Sequence, residues 1–381
     1  MPEYYSYDYI IAGAGCAGLS LAVKLSLSDV PFKKILLVDK DLKNKNDRTW
    51  CFWTKQEKQW YNDIIFRRWS SFEFKGPSGN SLLCDIQPYE YCMIRGIDFY
   101  EYAFSILKKD PRFEFLTAEI NGLETLNDRA VLKANGKSYT SSFIFNSAFR
   151  KIKMLNNDIN YVQHFKGWVI ESEEARFDVH RPVFMDFSVP QHNDCRFVYL
   201  LPFSENKALI EYTGFSPAAI SENDYEDELR YYIQEHLGIH NYRILEEEKG
   251  EIPMYESVFV NPFGNRIINT GTASGASKTS TGFTFYFIQR FTDKLVSSLK
   301  SSGPHLFTRP KKYLYYDRIL LDVMDRKQLP AAEIFETLFR KNSVQSILAF
   351  LNEESTFSQE LRIMNSVPKL RFVPAAIRQL K

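Results

Sequence analysis

The feature that most constrains how this chain can fold is a glycine-rich turn near its start, placed between a strand pattern and a helix pattern. The strand pattern covers residues 7–11 (YDYII), the turn covers residues 13–18 (GAGCAG), and an apolar helical pattern follows directly. In a turn of this spacing Gly13 allows the tight bend, Gly15 lets the backbone approach a pyrophosphate, and Gly18 lets the helix pack closely against the strand. The pyrophosphate then lies at the positive end of the helix. The sequence therefore predicts a dinucleotide site, with a purely structural glycine turn as the alternative.

A second strand pattern supports the dinucleotide interpretation. Residues 35–38 (ILLV) are followed by Asp39, about twenty residues past the last glycine, where an acidic side chain accepts hydrogen bonds from ribose hydroxyls. The position of the motif, a few residues from Met1, favours FAD over NAD, because a bound flavin usually forms the base on which a second domain is built.

Composition excludes several classes of protein. The chain has 381 residues, of which 44% are hydrophobic and 25% charged, as in an ordinary globular protein long enough for two domains. A net charge of +1 gives no nucleic-acid signature. Five cysteines without a CxxC pair argue against a disulfide framework and against a metal site, and indicate a reducing compartment.

Membrane contact is a separate question. The chain shows no secretory signal and no apolar run long enough to span a bilayer, which predicts a cytoplasmic protein that does not cross the membrane. From Ser301 onward, however, the chain contains 13 Lys and Arg residues but only 8 Asp and Glu residues, which is a surplus of positive charge. Apolar residues between these charges indicate either amphipathic helices packed on a core or a basic, aromatic face on anionic lipid. They are Phe335, Leu338, Phe339, Ile347, Leu348, Phe350 and Leu351.

The remaining patterns indicate that the chain leaves the nucleotide domain and returns to it. A helix is predicted at residues 97–108, strands at 113–116, 119–123 and 143–146, a hairpin at 130–141 around Asn135-Gly136, and an antiparallel pair at 196–201 and 208–213. A strand at 267–269, the small-residue loop 271–282 (GTASGASKTSTG) and a helix at 283–299 form a second place to hold a dinucleotide. We therefore predict an FAD-binding domain from residues 1–75, 95–150 and 263–300, a β-rich substrate domain from 76–94 and 151–262, and a helical C-terminal region at 301–381.

Several blocks together resemble the bacterial lycopene beta-cyclases, part of the flavoprotein superfamily that also contains aromatic hydroxylases and geranylgeranyl reductases. Besides the glycine turn, the blocks are residues 47–53 (DRTWCFW), 163–168 (QHFKGW), 185–187 (MDF), 197–204 (FVYLLPFS), 210–213 (IEYT), 248–254 (EKGEIPM) and 271–282. They occur in the family's order over about residues 5–295. Gly271 is followed by Thr272, where hydroxylases usually have Gly-Asp. This departure suits an enzyme that does not activate oxygen.

The resemblance implies a fold and an activity. The fold is α/β: a Rossmann-type FAD-binding domain with an inserted antiparallel β-rich substrate domain and a helical C-terminal region, like aromatic hydroxylases and geranylgeranyl reductases. The activity is closure of the acyclic ends of lycopene to β-ionone rings, giving β-carotene via γ-carotene, without net redox. Reduced FAD is required, and NAD(P)H serves only to reduce it. The implied partners are lycopene or a related carotenoid and the inner face of the membrane, and the oligomeric state stays open.

The resemblance also implies site residues. Glu211 matches the family's expected acid, although its strand pattern alone favours an ordinary glutamate at a solvent edge over a functional acid. Asp186 and Glu248 are secondary catalytic candidates, and His164 is more often a structural histidine in such a setting. The cofactor-binding candidates are Gly13, Gly15, Gly18, Asp39, Arg48, Arg95, Gly271, Thr272 and Gly282. Part of a set of aromatic residues is expected to line the substrate tunnel, namely Trp50, Phe52, Trp53, Trp168, Tyr199, Phe203 and Tyr212.

Two other functions stay open at this point. An FAD-dependent prenyl or carotenoid reductase or hydroxylase on the same fold would oxidise flavin in step with substrate or consume oxygen. A nonenzymatic carotenoid- or flavin-binding protein would leave the pigment unchanged.

Overall fold

A computed structural model of the protein describes residues 4–55, 58–148, 161–254, 263–301, 303–305 and 309–380. Its strands are β1 (Tyr4–Ala12), β2 (Ile35–Asp39), β3 (Thr49–Thr54), β4 (Arg67–Trp69), β5 (Ser71–Lys75), β6 (Ser81–Asp85), β7 (Glu90–Arg95), β8 (Phe113–Thr117), β9 (Ile120–Leu126), β10 (Arg129–Ala134), β11 (Lys137–Asn146), β12 (Tyr161–Ser172), β13 (Val183–Asp186), β14 (Cys195–Pro202), β15 (Lys207–Ser216), β16 (Tyr242–Met254) and β17 (Ile267–Asn269). Its α-helices are α1 (Cys16–Ser26), α2 (Gly96–Leu107), α3 (Glu222–Tyr231), α4 (Phe285–Ser301), α5 (Lys311–Asp325), α6 (Ala331–Lys341), α7 (Val344–Leu351), α8 (Phe357–Ser366) and α9 (Lys369–Arg378). Short helical turns lie at Asn62–Ile64, Tyr232–His236 and Gly271–Ser274.

A seven-stranded sheet contains the strand that leads into the glycine turn. Its order is β8-β2-β1-β11-β10-β9, and β17 pairs with β11. β1 runs parallel to β2 and β11, and β2 runs parallel to β8, so the carboxyl ends of these strands meet at one edge. In open parallel sheets this edge is where ligands bind. α1 begins there, and Lys24 on α1 donates to the Gln289 carbonyl of α4 at 2.7 Å.

The predicted hairpin is confirmed by the pairing of β10 with β11. Asn135 has φ 50° and Gly136 has φ 70°, the left-handed values that a two-residue type I′ turn requires. The strand predicted at 143–146 is the last part of β11 rather than a separate element. It stays buried because it pairs with β1 on one side and β17 on the other.

The second large sheet has the order β16-β12-β15-β14-β13-β5-β6. β12 lies between β15 and β16 in two long antiparallel ladders. One face of this sheet is covered by α3, whose Tyr225 and Leu229 belong to the same core cluster as Tyr212. The opposite face packs against α6 and a small sheet of order β3-β7-β4.

The sheets agree with the predicted fold class, an α/β nucleotide domain joined to an antiparallel β-rich unit and a helical C-terminal region. β5 already pairs with β13 in the second sheet, although the predicted boundary lies after residue 75. α4 begins at Phe285, two residues later than predicted. The division into domains itself stays a prediction, and residues 151–160 and 255–262 of the predicted substrate domain lie outside the described residues.

The C-terminal helices bury most of the apolar residues that were considered for a lipid-facing surface. Phe335, Phe339, Ile347 and Leu348 belong to the core beneath the second sheet, so core packing is the correct interpretation for them. In the part of the chain that the structure describes, no helix has the length and apolar character needed to cross a bilayer.

Candidate active site

A cavity of about 890 Å³ extends from the glycine turn of the first sheet to the face of β12 and β15 that lies opposite α3 in the second. Its size is in the range of small-molecule and cofactor sites. Most of the predicted cofactor residues line it, together with Glu211 on the second sheet. They are Gly13, Gly15, Asp39, Arg48, Gly271, Thr272 and Gly282.

The three glycines of the first turn have three different reasons to be glycine. Gly13 has φ +103°, which disfavours other residues, and a Cβ there would lie 2.7 Å from Ser147 Oγ. A Cβ on Gly18 would lie 1.9 Å from the Gly13 carbonyl oxygen, so this glycine allows the helix to pack against the turn. Gly15 lines the cavity and has open space where its Cβ would be. A side chain at position 15 would therefore enter the cavity.

The acidic residue after β2 fixes the turn and also faces the cavity. Asp39 accepts a hydrogen bond from the Ala14 amide at 2.6 Å and one from the Asp41 amide at 2.8 Å. Arg48 lines the same region, with its Nε 3.8 Å from an Asp47 carboxylate oxygen. A pyrophosphate at the start of α1 and a ribose near Asp39 fit this arrangement of open space, helix N-terminus and carboxylate.

The second cofactor loop approaches the same cavity from the other side. Gly271 has φ +62°, and a Cβ there would lie 2.7 Å from Ala17 Cβ on α1. Close approach of this loop to α1 thus requires glycine. Thr272 and Gly282 also face the cavity. Arg95 does not line it; its guanidinium pairs with both carboxylate oxygens of Asp98 at 2.7 Å.

Two carboxyl groups are brought together on the second sheet. Gly167 on β12 pairs with Glu211 of β15 on one side and with Glu248 of β16 on the other. A Cβ on Gly167 would lie 3.2 Å from Glu248 Cγ and 3.3 Å from Glu211 Cβ. The missing side chain therefore leaves the two glutamates next to each other on one face. Glu211 lines the cavity, and Glu248 is buried behind it with Oε1 unpartnered among the described residues.

The environment favours the protonated form of Glu211. Burial raises its pKa well above the usual value, and the neighbouring charge of Glu248 raises it further. The Thr213 hydroxyl, which donates to Glu211 Oε1 at 2.9 Å, acts in the opposite direction. Burial also raises the pKa of Glu248, opposed by the hydroxyl of Thr49. Two adjacent carboxyls in such a site titrate as a pair, and one of them holds a proton at higher pH than an isolated glutamic acid.

Asp186 and His164 lie outside the cavity. Asp186 is buried at the end of β13, where it accepts a hydrogen bond from Tyr232 at 2.8 Å and lies 3.4 Å from Lys75 Nζ. His164 contacts Ser216 Oγ at 2.8 Å on the α3 side of the sheet, and burial lowers its pKa to about 4. Both sets of contacts are structural, and neither residue lines the cavity.

Two of the seven aromatic residues considered for the substrate tunnel line the cavity. Trp50 and Tyr199 line the cavity, whereas Phe52, Trp53, Trp168, Phe203 and Tyr212 pack elsewhere in the core. Several other residues that line the cavity were not predicted as lining residues, namely Cys51, Tyr91, Gln163, Phe165 and Phe283. Gln163 and Phe165 could have been found, because side chains two residues apart on a strand share a face with Gly167.

Solved structures of flavin-dependent enzymes have a similar fold. The sheets and helices form the fold that FAD-dependent reductases, monooxygenases and halogenases share. A geranylgeranyl bacteriochlorophyll reductase-like protein from Thermoplasma acidophilum superposes with a TM-score of 0.60 at 13% identity, covering 99% of each chain. A variant of the halogenase PltM in complex with FAD gives 0.56 at 14% identity, covering 96% of this chain and 87% of the halogenase.

Comparison of the sequence with known protein families identifies the family. The family model for lycopene cyclase proteins matches residues 8–376, and the chain belongs to the lycopene cyclase family. The lycopene beta-cyclase of Pantoea ananas is 24% identical over 312 residues, covering 76% of this chain and 74% of that protein. The protein is therefore an enzyme of the carotenoid cyclase type.

Proposed function

We propose that the protein closes the acyclic ends of lycopene into β-ionone rings by acid-initiated cyclisation without net redox. Glu211 delivers a proton to the terminal carbon–carbon double bond, and the resulting cation is attacked by a second double bond as the ring closes. A different proton then leaves the ring to the carboxylate that Glu211 has become, which restores the donor, so atoms and electrons balance without an external oxidant or reductant. The observation that carries this proposal is the Glu211–Glu248 pair, held together across Gly167 at one end of the cavity.

A proton donor for a hydrocarbon must be protonated before the substrate arrives. The raised pKa of Glu211 meets this requirement, because burial and the charge of Glu248 both disfavour its ionised form. Glu248 has a supporting role in the proposal, since it lies behind Glu211 rather than on the cavity wall.

The cation needs π-density or negative charge nearby. Tyr199 is the cross-strand partner of Glu211, and Tyr91, Phe165 and Phe283 line the same end of the cavity. An aromatic face stabilises a cation by about 0.5 to 2 kcal/mol. Reduced FAD, bound through the glycine turn and the second loop, would supply negative charge to the same region. In this proposal NAD(P)H serves only to keep FAD reduced.

We also propose that the protein takes its substrate from the inner face of the cytoplasmic membrane by resting on it. The contact is the α8–α9 surface, which we define as the exposed apolar residues of the last two helices and the cations beside them. The apolar members are Phe357, Leu361, Met364, Leu370, Val373, Ile377 and Leu380, and the cations are Arg362, Lys369 and Arg371. These three cations form no salt bridge within the described residues. Apolar side chains beside unpaired cations match an anionic lipid surface.

The test is expression in a lycopene-accumulating bacterial host with pigment analysis. The wild-type chain should convert lycopene to cyclic carotene, and Glu211→Gln should leave lycopene uncyclised while still folding and binding FAD. Activity should fall by about 10²-fold or more, as expected when general acid catalysis is lost. Near-normal cyclisation by Glu211→Gln would exclude Glu211 as the donor.

Assays with purified enzyme separate the cyclase from its redox relatives. Product should form without stoichiometric consumption of NADPH or oxygen. Product formed in strict proportion to NADPH would make the protein a reductase, and oxygen consumed with substrate would make it a hydroxylase.

A further inference from the structure

Gln163 is a buried polar side chain on the cavity wall without an evident partner. It lies on β12 and is 7% exposed. Its Oε1 accepts no hydrogen bond from any residue the structure describes. Leaving such an acceptor unpaired costs free energy, and an unpaired buried group in a folded protein calls for an explanation.

The location of this amide connects it with the cofactor loop. Gly282, the last residue of that loop, has φ +71°, and a Cβ there would lie 1.7 Å from Gln163 Oε1. The amide therefore occupies the space that a side chain at position 282 would need. Gln163 is also four residues from Gly167 along β12, about 13 Å at the usual strand rise. The amide therefore lies against the cofactor loop, on the strand that also carries Gly167.

The chemistry of the two ligands decides what the amide can bind. Lycopene, the substrate under the proposed function on which this inference rests, is a hydrocarbon and offers no hydrogen-bond donor. The isoalloxazine ring of a flavin has N–H groups on its polar edge. We propose that the Gln163 side chain accepts a hydrogen bond from a ring N–H of FAD and so positions the flavin ring beside the second sheet.

Binding of FAD to purified, unloaded protein tests this assignment. Gln163→Leu has nearly the same size but no acceptor, and its dissociation constant for FAD should rise about tenfold or more. The absorption spectrum of bound FAD should also change, because the hydrogen bond acts on the chromophore itself. Gln163→Met provides a second apolar replacement should the branched leucine disturb the strand.

A matched control is available in Gln289. Its Oε1 is also buried and unpartnered among the described residues, but its amide lies between α4 and α1, where Nε2 donates to Ser20 at 2.9 Å. Gln289→Leu should leave both the FAD affinity and the flavin spectrum near those of the wild type. Unchanged affinity and spectrum in Gln163→Leu and Gln163→Met, with unfolding temperatures like that of the wild type, would overturn the assignment.

Failure of the Gln163–flavin assignment can be distinguished from failure of the proposed function. If the wild type cyclises lycopene but the Gln163 variants bind FAD normally, only the flavin contact is wrong. If the wild type binds FAD and leaves lycopene unchanged, the proposed function is wrong and the explanation of the unpaired amide loses its basis.

Discussion

Gly167 controls how close the Glu211 and Glu248 side chains can lie. Its neighbours on β15 and β16 are the two glutamates, and a methyl group at this position would approach both more closely than side chains normally pack. Its φ is not in the left-handed region, so alanine fits the backbone. A Cβ at this position would also lie 3.0 Å from Leu209 Cδ1, so thermal unfolding is measured beside activity to separate the effect of carboxyl spacing from a loss of stability.

We predict that Gly167→Ala folds but loses about tenfold or more of its cyclisation rate, as expected when a general acid is displaced. The charge of Glu248 raises the pKa of Glu211. Moving the two carboxyls apart weakens this effect, so the pKa of Glu211 should fall in the variant. Because the donor is active only when protonated, the decline of activity with rising pH should begin at a lower pH than in the wild type. The pH profile of cyclisation measures this shift. Gly122→Ala is the control, since a Cβ there would contact only Lys133 at an ordinary 3.6 Å; an identical pH profile in both variants would contradict the prediction.

A second prediction at this scale concerns the glycine turn. Gly15→Leu should fold, because its backbone has φ −79° and the space beside it is open, but its side chain should block the pyrophosphate position and abolish FAD binding. Gly18→Ala should instead destabilise the fold by about 1–3 kcal/mol, because its Cβ would overlap the Gly13 carbonyl. Flavin content and thermal unfolding distinguish the two effects. Undiminished flavin in Gly15→Leu would contradict this placement of the cofactor.

The sequence predicted some of the candidate site residues correctly as members of the cavity or its carboxyl pair, and others not. Glu211 and Glu248 were named from motifs 37 positions apart, but their pairing depends on the register of three strands, which strand patterns do not specify. Asp186 and Arg95 were named by the same reasoning and lie outside the cavity, because a charged residue in a motif can equally serve a buried hydrogen-bond network or an ion pair.

At the scale of elements, the second cofactor loop is held by the C-terminal helices. Asp317 on α5 accepts hydrogen bonds from Lys278 Nζ at 2.7 Å, Thr279 Oγ1 at 3.0 Å and Ser280 Oγ at 2.6 Å. Arg309 Nη2 donates to the same carboxylate at 2.7 Å. Burial opposes the ionised form, but the Lys278 and Arg309 cations hold the pKa of Asp317 below its usual value. The sequence predicted the loop at 271–282 and a helical C-terminal region at 301–381 separately, but their patterns contain no information about this contact.

We predict that Asp317→Asn destabilises the protein by about 3–5 kcal/mol, because it leaves the Glu353 carboxylate alone to neutralise the two buried cations of Lys278 and Arg309. It should also weaken FAD binding, since three consecutive residues of the cofactor loop lose their common acceptor. Thermal unfolding and FAD titration measure the two effects. Asp322→Asn is the comparison on the same helix. Its partners Arg326 and Arg378 are partly exposed, and its FAD affinity should stay unchanged. Equal FAD affinity in the wild type and Asp317→Asn would show that the loop does not need this contact.

At the scale of the whole molecule, the C-terminal region has two different sides. Its inner side completes the core under the second sheet, and most of the residues singled out from the sequence lie there. Its outer side is the α8–α9 surface. The sequence shows the basic surplus of this region directly. It could not tell which apolar residues are buried, because the helices are amphipathic and their orientation is set by the sheet beneath them.

We predict that the protein sediments with anionic liposomes and is released by added salt. Replacing Leu370 and Ile377 with Ser should reduce binding by removing apolar contact, and Lys369→Ala with Arg371→Ala should reduce both binding and its salt dependence. Neutral vesicles provide the control. Binding to anionic vesicles that is the same for wild type and both double variants would place the membrane contact elsewhere.

The arrangement across Gly167 has a consequence for the order of events on a substrate with two reactive ends. The described residues contain this carboxyl pair once, at one end of one cavity, whereas the two ends of a linear polyene are far apart. Both ends cannot be served in a single visit. Under the proposed function, a half-closed molecule would have to leave and re-enter in the opposite direction before its second ring closed. We therefore predict that the two ring closures compete, and that the monocyclic carotene accumulates early whenever fresh lycopene is abundant.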